Sequence, residues 1–260
     1  MYKSGTTTWA LVLVASALGS TVALAEPAPE VGQIRLPGRG LTATGGEVGY
    51  FPAAKGGLEA IDLTTGKLLW TSEEASSPLA VDGSRLYARA IVKGKPNELR
   101  VVALTTKGGK LDLKSDPVEL PDWVAIGSQH GRLFATGASP DKGGLLLSWE
   151  ARGWYSGGIA PSPKMQADAR KSASGSVRVD LETGKVRVFK MDEVPKGMPM
   201  ATESYPVTAE VGGRTFTVVD GPFNPGNPAS ARRALQAKDA SGKVLWSRDI
   251  AAPVLLLAIP

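Results

Sequence analysis

Apolar and polar positions along the chain alternate in short runs, and one run recurs. Its clearest copy is Leu58-Glu59-Ala60-Ile61-Asp62-Leu63-Thr64-Thr65-Gly66-Lys67-Leu68-Leu69-Trp70. It returns from Val177 to Val188 around Asp180, Thr183 and Gly184. A further copy, one residue shorter in its turn, runs from Leu235 to Trp246 around Ala237, Asp239 and Gly242. A degraded copy lies at Leu99 to Leu113, where Gly109-Lys110 takes the Gly-Lys place. Alternation up to the Asp reads as a half-buried strand. Asp and Thr can hydrogen-bond the backbone of a turn, and Gly supplies the positive φ that closes it. Lys then opens a second strand, so each copy predicts a β-hairpin.

A strand, Gly-turn, strand pattern precedes each hairpin, at Gly45 to Phe51, Val81 to Tyr87, Ile126 to Phe134 and Val211 to Phe216. Two hairpins in series make a four-stranded meander. The distances between Gly66, Gly109, Gly184 and Gly242 bracket the roughly 40 to 50 residues of a propeller blade, the excess going to loops. No long segment beyond the N-terminus has helical periodicity, and 31 Gly and 19 Pro punctuate the chain. The pattern therefore predicts an all-β chain: a β-propeller of four-stranded antiparallel blades, about four to five in number, with meanders near 41–72, 79–115, 123–190 and 208–250. Residues 253–259 stand where the next repeat would begin. Either they pair inside the first blade and close the ring, or the ring is incomplete and a second copy or a partner covers its edge.

The N-terminus differs from the rest. A single Lys3, an apolar run from Trp9 to Leu18 and the small-residue pattern Ala23-Leu24-Ala25 are the parts of a secretory signal peptide over residues 1–25, cleaved before Glu26. The apolar run is shorter than the roughly 20 residues of a membrane anchor. Residues 26–40, rich in Pro and Gly, read as an N-terminal linker, and 41–260 as the propeller domain. The expected location is periplasmic or extracellular, and no later segment has an apolar run of membrane-spanning length. Absence of Cys removes disulfides and thiolate chemistry. The net charge of +5 is scattered among 25 acidic residues, too diffuse for a nucleic-acid interface.

The run Ala60-x-Asp62-x-x-Thr65-Gly66-x-x-x-Trp70 resembles the pyrroloquinoline-quinone-like (PQQ-like), or tryptophan-docking, repeat of quinoprotein dehydrogenases and of outer-membrane assembly propellers. The copy from Ala237 to Trp246 keeps Ala, Asp, Gly and Trp. The copy around Asp180, Thr183 and Gly184 has Arg178 and Val188 at the Ala and Trp places. The resemblance implies that Trp70 and Trp246 dock between adjacent blades. It does not carry the quinone with it: quinone enzymes of this kind use a catalytic Asp beside calcium and usually a vicinal Cys pair, and none of these maps onto this chain. No cofactor and no metal are expected.

The sequence offers little else for catalysis. His130 is the one histidine and sits in a Gly-flanked turn. Thr65-Gly66-Lys67 lacks the remaining residues of a phosphate loop. Asp62, Asp180 and Asp239 read as turn formers rather than an acid/base pair. The loop around Arg152, Trp154 and Tyr155 has the aromatic-plus-Arg composition of a binding hot spot. The expected function is a non-enzymatic binding or scaffolding propeller of the cell envelope, its partner a protein or cell-wall material. Two alternatives stand beside it: a glycan-processing enzyme with carboxylates converging in the propeller funnel, and a half-propeller that self-associates near Leu255 to Ile259.

Overall fold

The computed structural model describes residues 32–90, 92–124, 126, 132–153, 163–168, 170–202, 204–221 and 233–250. The first blade contains β1 (Gln33–Leu36), β2 (Gly40–Ala43), β3 (Val48–Pro52), β4 (Leu58–Asp62) and β5 (Leu68–Ser72), hydrogen-bonded in that order. The second is β6 (Ala75–Asp82), β7 (Arg85–Ala90), β9 (Val101–Thr105) and β10 (Leu111–Lys114). A two-stranded ladder of β8 (Glu98–Leu99) and β11 (Val118–Glu119) lies outside it. The third is β12 (Arg132–Asp141), β13 (Gly144–Gly153), β14 (Ser172–Asp180) and β15 (Val186–Val188), with a short helix α1 (Pro163–Asp168) in the β13–β14 connection. The fourth is β16 (Thr208–Val211), β17 (Arg214–Asp220), β18 (Arg233–Lys238) and β19 (Val244–Ile250). Every pairing is antiparallel, and the four meanders read from the sequence are the four blades.

Two details depart from the sequence reading. Gln33–Leu36, within the stretch expected as a linker, is strand β1. It takes the free edge of β2, where the C-terminal strand would have paired. Gly127 to Gly131, read as the first turn of the third blade, lie outside the described residues. The β12–β13 hairpin of that blade turns at Lys142-Gly143, between two ten-residue strands. The Asp141-Lys142-Gly143-Gly144 stretch has the chemistry of a two-residue hairpin loop. Residues 251–260 lie outside the described residues.

Three buried clusters hold the blades together. Leu41, Tyr50, Leu58 and Ala60 of blade 1 pack against Val81, Leu86, Val102 and Leu104 of blade 2. Tyr87, Val101 and Ala103 of blade 2 join Leu145, Leu147, Trp149, Val177 and Val179 of blade 3. Leu36, Phe51, Ile61 and Leu63 of blade 1 join Phe216, Leu235, Ala237 and Ile250 of blade 4. The spatial order is therefore 4-1-2-3. Among the described residues no such cluster joins blade 3 to blade 4.

Strand β1 runs through the centre of this arc. The Gln33 side-chain amide donates to the Ala138 carbonyl of β12 (3.3 Å) and accepts from the Val81 N–H of β6 (3.4 Å). Arg35 donates to the Ser204 carbonyl (3.2 Å) and lies over the Tyr205 ring. At the β1–β2 turn, a methyl placed on Gly38 would fall 2.4 Å from Ile250 of blade 4.

The contact between blades 4 and 1 also carries charge. Arg248 of β19 donates to the Glu59 carboxylate of β4 (3.0 Å), with Glu59 almost wholly buried and its other oxygen unpartnered. Removing the cation alone leaves a buried charge, whereas replacing both partners with apolar groups does not. Arg248→Met should therefore cost about 2 kcal/mol, and Glu59→Leu/Arg248→Met should recover most of it. Urea denaturation of the two variants measures this, and equal losses in both would show that the pair contributes no coupling.

Candidate functional site

The recurrent turn is built by its own side chains. Asp62 accepts the Thr64 and Thr65 N–H groups, both at 2.8 Å. Asp180 accepts from the Thr183 hydroxyl (2.7 Å) and from the Thr183 and Glu182 N–H groups. Asp239 accepts from the Ser241 hydroxyl (2.6 Å) and from the Ser241 and Lys243 N–H groups. In blade 2, Thr105 takes the Asp place and accepts the Lys110 N–H. These bonds hold all three carboxyls below their ordinary values. The leading cause is the Thr65 N–H for Asp62, the Thr183 hydroxyl for Asp180 and the Ser241 hydroxyl for Asp239. Each acid is tied to its own turn, one per blade, which suits folding and not paired acid/base chemistry.

The turns receive the tryptophans. Trp70 of blade 1 donates its indole N–H to the Thr106 carbonyl (2.8 Å), and its ring covers Gly109 of blade 2. Trp246 of blade 4 donates to the Leu63 carbonyl (3.2 Å), and its ring covers Gly66 of blade 1. A methyl on Gly109 would sit 2.4 Å from the Trp70 ring, and one on Gly66 2.7 Å from the Trp246 ring. Both glycines hold positive φ, so the turn needs glycine for its backbone as well as for the ring above it.

A β-bulge aims each docking residue. The ladder jumps from Ile61↔Leu68 to Ala60↔Trp70, from Leu104↔Leu111 to Ala103↔Leu113, and from Lys238↔Val244 to Ala237↔Trp246. The extra residue turns Trp70, Leu113 and Trp246 toward the next blade in each case. Blade 2 has Leu113 where the indole would be. There the Asp116 N–H bonds the Gly184 carbonyl (2.8 Å), and Arg85, paired with Asp112, donates to the Leu181 carbonyl that an indole would otherwise reach (3.4 Å).

Blade 3 has no bulge. Its ladder runs Val179↔Val186, Arg178↔Arg187, Val177↔Val188, so Arg187 opposes the Ala place and Val188 points away, 65% exposed. The face of blade 3 turned from blade 2 carries Ser148, Ser176, Arg178 and Arg187, and Ser148 donates to the Pro199 carbonyl of the segment leading to blade 4. The outward face of blade 4 carries Thr215, Thr217, Gln236 and Lys238 together with Val219 and Ala234.

Two recesses accompany these interfaces. A groove of about 580 Å³ opens between the turns of blades 1 and 2, lined chiefly by Val48, Tyr50, Leu69 and Val81 with Lys107 at its rim. Burial pushes the Tyr50 hydroxyl up to about 12. A small recess of about 20 Å³ near the centre is lined by Arg39, Arg89, Phe134, Thr136, Thr202 and Tyr205. Arg89 is braced there by the Ser76 and Ser77 hydroxyls. Of the loop expected to bind a partner, Arg152 is on β13 and pairs with Glu150 (2.5 Å), while Trp154 and Tyr155 lie outside the described residues, as does His130.

The bladed sheets form a β-propeller fold, and their Trp-over-Gly docks resemble those of PQQ-like repeats. A family model described as outer membrane protein assembly factor BamB matches residues 2–118. No curated protein matches. Among solved structures, BamB from Moraxella catarrhalis is 12% identical, with 86% of this chain and 91% of that one covered and a TM-score of 0.30. Quinohaemoprotein alcohol dehydrogenase from Comamonas testosteroni is 12% identical over 86% of this chain and 37% of that one, TM-score 0.33. Quinohaemoprotein alcohol dehydrogenase ADHIIG from Pseudomonas putida HK5 is 16% identical over 80% and 34%, TM-score 0.31. The chain thus spans little more than a third of the length of either dehydrogenase. The chain has no Cys, no group of acids or histidines among the described residues could hold a metal, and Gln33 crosses the centre.

Two predictions follow from the docks. Gly66→Ala and Gly109→Ala strain the backbone and displace an indole, for a loss of about 2 to 4 kcal/mol. Gly242→Ala, with no described atom over it, should cost only the backbone share, about 1 kcal/mol; urea midpoints compare the three. The second concerns acid. A carboxyl held below its ordinary value stabilises the fold above the unfolded value near 4, and that contribution is lost as pH falls through the lower, folded value. Asp62→Asn/Asp180→Asn/Asp239→Asn should therefore show a shallower fall of Tm between about pH 4 and pH 2 than the parent. Superimposable slopes would mean that these turns do not titrate with folding.

Proposed function

We propose that this chain is a non-enzymatic binding scaffold of the cell envelope, exported to the periplasm or the outside and working through protein contacts. The observation that carries this reading is the filled centre. The position where a propeller enzyme would gather substrate is spanned by β1, with Gln33 bonded to blades 2 and 3 at once. The match of residues 2–118 to the BamB family model supports an envelope role, and the signal-like N-terminus agrees with it. Among the described residues no helix is long and apolar enough to cross a membrane.

Within this reading the loop that follows Arg152, with Trp154 and Tyr155, is the partner-binding element, an Arg beside two aromatics on a rigid sheet. A photo-crosslinking residue at Arg152 in the full chain, expressed in its native cells, should trap an envelope protein. Trp154→Ala/Tyr155→Ala should reduce that trapping tenfold or more, about 1.4 kcal/mol, with Tm unchanged. Turnover of an alcohol in the presence of added quinone and calcium, or of a glycan, by the purified chain would overturn the proposal.

A further inference from the structure

Among the described residues one dock is left without an indole. Blade 4 presents a related turn, one residue shorter than those of blades 1 and 2. The Asp239 N–H bonds the Lys243 carbonyl (3.0 Å), the Gly242 N–H bonds the Asp239 carbonyl (2.9 Å), and Gly242 holds a φ of 83°. The Asp239 carboxylate accepts from the Ser241 hydroxyl and from the Ser241 and Lys243 N–H groups, so the turn is closed by its own bonds. The Ala240 carbonyl stands where Leu63 and Thr106 receive an indole N–H, and no described residue donates to it. No described atom lies within 4 Å of a methyl placed on Gly242, whereas indole rings sit 2.7 Å and 2.4 Å from the corresponding positions on Gly66 and Gly109.

Blade 3 does not supply the missing ring. Without a bulge in β15, the residue opposite the Ala place is Arg187, and the residue at the Trp spacing, Val188, faces away into solvent. The other described tryptophans are engaged: Trp70 and Trp246 in their docks, Trp123 and Trp149 in the core between blades 2 and 3.

We propose that the Gly242 turn is a vacant tryptophan dock that receives an indole from a β-strand of a partner protein. The partner's ring would cover Gly242, its N–H would donate to the Ala240 carbonyl, and its strand would run along the face of Thr215, Thr217, Gln236 and Lys238. The occupant chemistry is set by continuity with two filled docks of the same motif, each with a positive-φ glycine four residues before its tryptophan or its counterpart on the next strand. These polar residues favour a strand with one aromatic among hydrophilic residues rather than an apolar face. This reading concerns a surface separate from the Arg152 loop and does not rest on it, so either can fail alone.

The test uses the full chain, isotope-labelled, titrated with a capped peptide that copies its own docking strand, Lys243 to Asp249. The amide signals of Ser241, Gly242 and Lys243 should shift saturably, with an intermolecular contact between the peptide's indole and the Gly242 α-protons. The same peptide with Leu for Trp should bind at least tenfold more weakly. Gly242→Val should abolish the shifts, and the indole contact, read on the parent protein, decides the matter if that variant does not fold. Absence of shifts up to about 5 mM peptide, or shifts confined to other blades, overturns the proposal. So does a change of the same amides on Trp154→Ala without peptide, which would mean that the chain fills its own dock.

Discussion

An indole laid over a turn glycine, with its N–H on the carbonyl of the residue after the turn Asp, is the contact on which the arrangement of blades depends. Blades 1 and 2 each bury both faces against a neighbour, and blades 3 and 4 one face each among the described residues, so none of these sheets is a free-standing unit. The dock settles which faces meet, because the ring and the glycine must arrive together: a side chain on Gly109 would strike Trp70, and one on Gly66 would strike Trp246. Trp246 therefore carries the last blade in the sequence onto the first, and the spatial order 4-1-2-3 follows from that placement. The Glu59–Arg248 pair lies in the same interface and restricts it further, since Glu59 buried against any other blade would lose its cation.

Not every junction uses the indole. Between blades 2 and 3 the same carbonyl position, Leu181, is reached by Arg85, and the Gly184 carbonyl by the Asp116 N–H. A guanidinium and a backbone amide together replace what one tryptophan does elsewhere, and Leu113 fills part of the volume. The turn is thus the constant component, and the donor that reaches it is the variable one. The turn is local and self-satisfied through its Asp, Thr or Ser groups, whereas the donor comes from another blade and can be exchanged.

That division explains how much was legible in the sequence. The hairpins around Asp62, Asp180 and Asp239 could be read because their bonds join residues two to four apart, and the four meanders follow from them. The docking role of Trp70 and Trp246 could be read from the motif, but their partners could not: the indole bonds span 36 and 183 positions. Val188 stands at the motif spacing and still faces away, because spacing along a strand does not reveal a bulge, and a bulge reverses which face a side chain takes. Strand β1 was hidden in a Pro- and Gly-rich stretch, and the role of Gln33 depends on two strands far away in sequence. The Arg152 loop stands apart from the others, since only Arg152 is among the described residues.

Among the described residues no buried apolar cluster joins blades 3 and 4, and the chemistry on either side of that junction agrees with this. A propeller cut between two apolar faces would expose sheet surface that aggregates. Here the outward face of blade 3 carries Arg178 and Arg187 and is partly covered by the segment that bonds Ser148 through the Pro199 carbonyl, while blade 4 presents Thr, Gln and Lys beside Val219 and Ala234. Terminal repeats of a linear array need such polar outer faces, and an arc of blades has the same need at its two ends. The polar groups at the two ends and the intact turn at Gly242 make different demands on a binding partner: the first resist a large apolar contact, the second admits a single ring with a donor. Any strand that enters this junction must therefore be held by one aromatic and by hydrogen bonds, and its specificity must come from where that aromatic falls.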